Sequence, residues 1–232
     1  VEEVLSNFLK STILSKILVA VTGLLLVLFI VGHTLGNLLV YLGPNAINTY
    51  ALGLKKLGAL LWVVRGGLIF AVLIHIIATI RLTLYNKTAK PINYTVSGYI
   101  TSTFSSRTMA IAGLTILFFV IYHLLHFTLG VTNPEFMNLK TNLHGENVHD
   151  VFTMMVTGFR NPLVSGFYII AVTFLGLHLN HGVKSLFHTL GVAGPIFTPM
   201  IAKISTVFAI VICGALISIP ISVMLRIVGG AI

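Results

Sequence analysis

One cysteine, one tryptophan and five acidic residues are all that 232 positions hold of those types, and only 8% of the residues are charged. A single thiol, Cys213, excludes a disulfide within the chain and an iron–sulfur cluster held by the chain's own thiolates. No GxGxxG or GxxxxGK run is present, so nothing supports a nucleotide- or flavin-binding domain. The charged fraction lies far below the roughly 25% usual for a soluble globular domain. What fills the chain instead is apolar, with 56% hydrophobic residues. Any chemistry on a water-soluble substrate must then reside on a partner.

Five apolar stretches, 15–42, 59–85, 106–130, 161–187 and 203–228, each exceed the ~20 residues needed to cross a hydrocarbon core about 30 Å thick. They predict an all-α integral membrane protein, one domain over 1–232, with five transmembrane helices in a bundle. The first stretch is too long for a signal peptide and lacks a small-residue cleavage pattern, so it reads as a span. Between spans, Pro44 to Gly58 reads as a short interfacial helix after the Gly43-Pro44 break, and Asn86 to Ser105 as a polar loop containing Lys90-Pro91. The longest connection, Val131 to Arg160, reads as a loop and holds three of the five acids, Glu135, Glu146 and Asp150, with His144 and His149. Only Pro220 interrupts a predicted span, and no fixed-period repeat is visible.

The net charge of +9 does not gather on a soluble face, which argues against a nucleic-acid partner. Topology accounts for it better. With the N-terminus inside, Lys10, Lys16, Arg81, Lys87, Lys90, Arg107, Lys184 and Lys203 are inner, against Lys55, Lys56, Arg65, Lys140, Arg160 and Arg226 outer. Eight against six favours a cytoplasmic N-terminus in the cell's inner membrane.

Four histidines, His33, His75, His123 and His178, lie deep inside four different apolar stretches, where an ionisable side chain is costly and usually functional. The first and third spans run outward, so at 1.5 Å per residue His33 and His123 both lie ~25 Å from the inner surface. The second and fourth run inward, which leaves His75 and His178 roughly 15 Å from that surface. Two bis-histidine layers stacked across the membrane result. The plainer account of any one such histidine is a hydrogen bond to another helix, but four at two matched depths fit it poorly. Zinc would want about four ligands per site. Haem iron wants two axial imidazoles, and its macrocycle buries well among apolar side chains, so two b haems are expected. Gly23 and Gly113 each precede a histidine by ten residues and fall at the depth of the other pair, where a missing side chain would admit a flat ring. Gly66, Gly67 and Gly166 lie at comparable outer depths, although membrane helices also use glycine freely for close packing. His126 and His181, three residues beyond His123 and His178, could replace them as ligands or bond a propionate.

The runs VTGLLLVLFIVGHTLGN (21–37), RTMAIAGLTILFFVIYHLLHF (107–127) and NPLVSGFYIIAVTFLGLHLNHGVKSLFHTLG (161–191) resemble the membrane cytochrome b subunit of succinate:quinone oxidoreductases, the five-helix, two-haem type. The resemblance covers nearly the whole chain and is most specific at HLxHGxxSxFxTLG, with His178 in the ligand position, and at HxxGN on the first span. His188 and Lys184 depart from the glutamine and aromatic residue that the longer motif carries, which puts the propionate contacts there in doubt. The resemblance implies one ligand from each of the first four helices, with His75 and His178 on the inner haem and His33 and His123 on the outer. It also implies a succinate dehydrogenase or fumarate reductase anchor that carries electrons between a flavoprotein and iron–sulfur subunit pair and a membrane quinone, with menaquinone expected. A higher oligomer of the whole complex is compatible with it.

Depth alone offers Thr22, Ser106 and Arg107 on the inner side and His126 and Arg160 on the outer side as propionate partners, with His181, Lys184 and His188 beside them. No acid falls within an apolar stretch, which argues against a carboxylate relay across the membrane. Asn37, Trp62 and Arg65 are candidates to line a quinone pocket, and His144, Glu146, His149 and Asp150 to exchange protons with outer water. Two other readings stay open. One is a dihaem quinol-oxidising subunit of a nitrate-reductase-like complex, whose ligands would pair on two helices; the other is a histidine-lined transporter, which would need a polar pathway.

Overall fold

Apolar runs must satisfy every backbone amide internally once they leave water, and the helix does so. The computed structural model describes residues 11–89, 103–143, 145–192 and 194–230. Lys10, Lys90, Pro91 and His144 lie outside the described residues. The elements in order are α1 (Thr12–Leu38), continued by a 3-10 turn to Leu42, then α2 (Pro44–Lys56), α3 (Ala59–Thr88), α4 (Phe104–Arg107) and α5 (Met109–His123), continued by a π turn over Leu124–Thr128. After these come β1 (Lys140–Leu143), β2 (Glu146–His149), α6 (Val151–Arg160), α7 (Pro162–Thr189) and α8 (Phe197–Met224). Five helices, α1, α3, α5 with its π turn, α7 and α8, are long and apolar enough to cross a membrane.

Local chemistry sets their ends. Ser11 Oγ accepts from Leu14 N–H to start α1, and Asn161 Oδ1 accepts from Leu163 N–H ahead of Pro162 at the first position of α7. The last span starts at Phe197 rather than Lys203, because Pro199 sits in the first turn, where its missing N–H goes unnoticed. It stops at Met224 rather than Val228. There Arg226 adopts a left-handed φ of +59°, and the Ile227 and Val228 amides turn back to Ser222 O. Pro220 is buried inside α8, which continues through it.

Among its described residues, the stretch expected as a long loop, Val131 to Arg160, carries regular structure and adds a strand pair to an otherwise helical fold. β1 and β2 form an antiparallel hairpin in the register Lys140↔His149 and Thr141↔Val148, closed at Gly145, whose φ of +87° suits glycine and whose amide bonds Asn142 Oδ1. The hairpin, α2 and α6 form a cap over one end of the bundle. Buried Asn48 on α2 fastens it: Oδ1 accepts from the Val151 and Phe152 amides, and Nδ2 donates to Asp150 Oδ1. Asp150 in turn caps α6 through Thr153 N–H and Thr153 Oγ1. Gly36 permits the close approach of α1 and α2, since a Cβ there would lie 2.6 Å from the Tyr50 ring.

α7 is the central span, packed against α8, α5 and α1, while α3 packs along α1. One apolar core joins α7 and α8 at mid-bundle through Val172, Leu175, Ala209, Ile212 and Cys213. A second lies under the cap around Ile47, Phe152, Val156, Phe159, Tyr168 and Val223.

Candidate paired-histidine sites

The structure brings four intramembrane histidines together in two couples. The His33 and His123 rings have centroids 5.8 Å apart and stand at 88°, and those of His75 and His178 are 6.3 Å apart at 58°. Two imidazole nitrogens on opposite sides of one metal ion, about 2 Å from it, put their ring centres about 6 Å apart. Both couples have that spacing. The helices carrying each couple, α1 with α5 and α3 with α7, are not among the helix pairs that pack closely. The rings of each couple therefore meet between helices that are not closely packed on one another. Among the described residues no group of three or more His, Cys, Asp or Glu gathers as for a zinc site.

At the His75–His178 couple the surroundings are small. A Cβ on Gly23 would touch His75 Cε1 at 3.5 Å, and one on Gly113 would touch His178 Cε1 at 3.7 Å. Each glycine thus faces the histidine of the other layer's helix pair. Thr22 Oγ1 donates to Leu18 O at 2.6 Å and lies 3.0 Å from His75 Nδ1. Its proton being committed, the hydroxyl accepts from His75 Nδ1–H, which leaves the Nε2 lone pair of His75 for a metal. Thr22, expected as a propionate partner, bonds the imidazole here. His178 Nδ1 is buried without a hydrogen-bond partner.

At the His33–His123 couple the surroundings are aromatic. Phe29 stacks on His33 at 5.3 Å, Phe119 lies 5.8 Å from the His123 ring, and Tyr168 reaches His123 Nδ1 with its hydroxyl at 3.3 Å. His126 is 1% exposed and bonds the same Tyr168 hydroxyl at 3.1 Å. The π turn that begins right after His123 carries His126 to that position. Gly158 closes over it, for a Cβ there would sit 2.8 Å from Phe127 Cε1 and 3.2 Å from His126 Cε1.

The remaining candidates separate. Half-buried His181 lies about one turn from Lys184 on α7, while His188 and Arg107 are exposed and Ser106 is half-buried. Arg160 donates to Gly229 O at 2.8 Å, tying α6 to the segment after α8, and His126 is turned to Tyr168, so both outer propionate candidates are engaged within the protein. Asn37 Nδ2 donates to His33 O in its own helix. Trp62 and Arg65 are exposed near the start of α3, with the guanidinium 5.1 Å from the Trp62 ring. Glu146 pairs with Lys56 at 3.3 Å, and His149 Nδ1 bonds Leu139 O across the base of the hairpin. Burial opposes the Asp150 charge, but bonds from Asn48 and Thr153 outweigh it and hold its carboxyl below the ordinary range. These three cap residues carry structural bonds. Gly66, Gly67 and Gly166 face open space.

Comparison of the chain with family models, with curated proteins and with solved structures finds no match.

Sequence reasoning passed over Tyr168, Gly158 and Asn48. A signal for Tyr168 did exist: it precedes His178 by ten residues on an inward-running span, which places it ~15 Å further out, at the level of His123 and His126. A cleft of about 420 Å³ was equally unforeseen; Tyr41, Ile217, Ser218 and Ile221 line it, and Tyr41 Oη donates to Ser218 Oγ.

Proposed function

We propose that this chain is a dihaem cytochrome b membrane anchor of the succinate:quinone oxidoreductase type. The observation that carries the reading is the pair of imidazole couples, one histidine per helix, each joining two helices that are not closely packed on one another. His75 and His178 hold one haem b, and His33 and His123 the other. Bound there, the haems supply one-electron transfer across the apolar layer, which no side chain of this protein provides.

The residues do the rest. Thr22 fixes the tautomer of His75, and Gly23 and Gly113 keep side chains off the imidazoles of the first couple. His181, Lys184, Ser106 and Arg107 furnish polar groups toward the propionates on that side. The first residues of α1 face the cytoplasm in the cell's inner membrane. Exposed Lys16, Arg81, Lys87 and Lys203 at that end meet the iron–sulfur and flavoprotein subunits. Quinone, with menaquinone as the expected species, reacts at the capped end beside His33 and His123, where Trp62 and Arg65 lie exposed. Turnover would then respond to membrane potential, and turnover indifferent to uncouplers in intact vesicles would count against that sidedness.

The test is a reduced-minus-oxidised spectrum with pyridine haemochrome quantitation on the purified chain and its four His→Ala variants. Two b haems per chain are expected. His33→Ala and His123→Ala should lose one, and His75→Ala and His178→Ala the other. A colourless chain sinks the cytochrome reading.

A further inference from the structure

Tyr168 and His126 form one buried unit beside His123, and the haem reading by itself gives neither a task. The Tyr168 hydroxyl lies 3.3 Å from His123 Nδ1 and 3.1 Å from His126 Nδ1, with Tyr168 only 5% exposed. A phenol has one proton and cannot donate to both nitrogens, so one imidazole must donate to it. In the first arrangement His123 Nδ1–H donates to Tyr168, and Tyr168 donates to His126 Nδ1. In the reverse arrangement His126 donates, and Tyr168 gives its proton to His123 Nδ1. The reverse puts the remaining proton of neutral His123 on Nε2 and removes its ligating lone pair; the first leaves that lone pair available. An imidazole that accepts at His126 therefore favours the tautomer in which His123 can serve as a ligand.

Packing holds the acceptor in place. The His126 ring lies 4.0 Å from Phe127 and 5.5 Å from Phe136, stacks on Tyr122 at 5.4 Å, and has no slack at Gly158. The ring pairing with His33 belongs to His123, while His126 stays within this aromatic nest.

We propose that Tyr168 and His126 are positioning residues of the His33–His123 site. Their hydrogen-bond chain selects the Nε2-ligating tautomer of His123 and keeps His126 from competing as a ligand. By drawing on the Nδ1 proton through a phenol polarised by a second imidazole, it also makes His123 the more electron-donating. The proposal rests on the cytochrome reading.

The experiment is a potentiometric titration of both haems, followed optically and by EPR of the oxidised state, in the purified wild-type chain, Tyr168→Phe and His126→Leu. The couple belonging to His33–His123 is assigned by its absence in His123→Ala. Tyr168→Phe should keep two haems and raise the reduced-to-oxidised ratio of that couple about tenfold at fixed ambient potential, ~59 mV upward for one electron. The His75–His178 couple should stay in place. His126→Leu leaves the phenol as a weaker acceptor and should move the same couple in the same direction by less. Both haems present with the couple unmoved in both variants overturns the proposal and leaves the cytochrome reading standing. If Tyr168→Phe loses that haem, His126→Leu decides: a shifted couple supports the chain, and an unshifted one overturns it. A wild-type chain without haem overturns the cytochrome reading, and this inference with it.

Discussion

Around His75 and His178 the chain places its smallest residues, Gly23 and Gly113, with one hydroxyl from Thr22; around His33 and His123 it places the rings of Phe29, Phe119 and Tyr168, with Phe127 beyond His123. The first arrangement clears space and fixes one ring nitrogen. The second orients a ring by crowding it and by a hydrogen-bond chain. A site walled by glycine is sensitive to added bulk, whereas a site walled by aromatics and braced by the cap is sensitive to lost contacts. One helical architecture can therefore hold two similar couples in different environments, and substitutions should affect one couple without the other.

The largest expected effect comes from filling the glycine side. A Cβ at Gly113 already touches His178, so the longer branched side chain of Gly113→Leu must displace the imidazole. On the cytochrome reading, pyridine haemochrome content should fall to half, with the His33–His123 spectrum intact; loss of both haems would show that the sites are not independent. On the aromatic side, Gly158→Ala puts a methyl 2.8 Å from Phe127, an overpacking costing about 1–3 kcal/mol. Thermal bleaching in detergent should strike the His33–His123 chromophore first, and equal bleaching of the two would erase the contrast. Asn48→Ala strips the acceptor from the Val151 and Phe152 amides at the start of α6, a loss of about 1–3 kcal/mol. Faster proteolysis within 131–160 should report it, while the His75–His178 spectrum stays unchanged.

Acid should act on the capped side as well. The folded carboxyl of Asp150 is held below its ordinary value, so its contribution is complete above the unfolded value of about 3.9 and is lost as pH falls through the folded one. Cap stability should be flat in this respect from about pH 5 to 8 and decline below about pH 4. Asp150→Asn, followed by proteolysis against pH, should remove that decline. The smallest effect sharpens the glycine side. Gly113→Ser sets a hydroxyl near the unpartnered His178 Nδ1 and should raise thermal stability by about 0.5–1.5 kcal/mol, with the His75–His178 couple moving downward.

Which histidines meet was legible because depth in a membrane helix depends only on where a span starts, which way it runs and the rise per residue. Gly23 and Gly113 were legible for the same reason. Angular position around the helix was not, so the same arithmetic gave Thr22 a depth without showing that its hydroxyl faces His75. Tyr168 shows the same limit, since its depth is readable and its aim at two histidines is not. The hairpin escaped because Lys140–Leu143 and Glu146–His149 are mostly polar and carry little apolar alternation; only Gly145 marks the turn. Asn48 escaped because its partners are about a hundred residues away.

The standoff between α3 and α7 bears on the order in which the bundle comes together. In the most apolar stretch of α3 only 6% of residues are buried, against 39% in α8, because among the described residues α1 is the one element it packs against closely. Such a helix is a hinged wall. On the cytochrome reading, a flat ring entering from the lipid side would give it the second surface it lacks. Closure of α3 would then follow binding of the ring, with His75 as the catch that engages when it shuts.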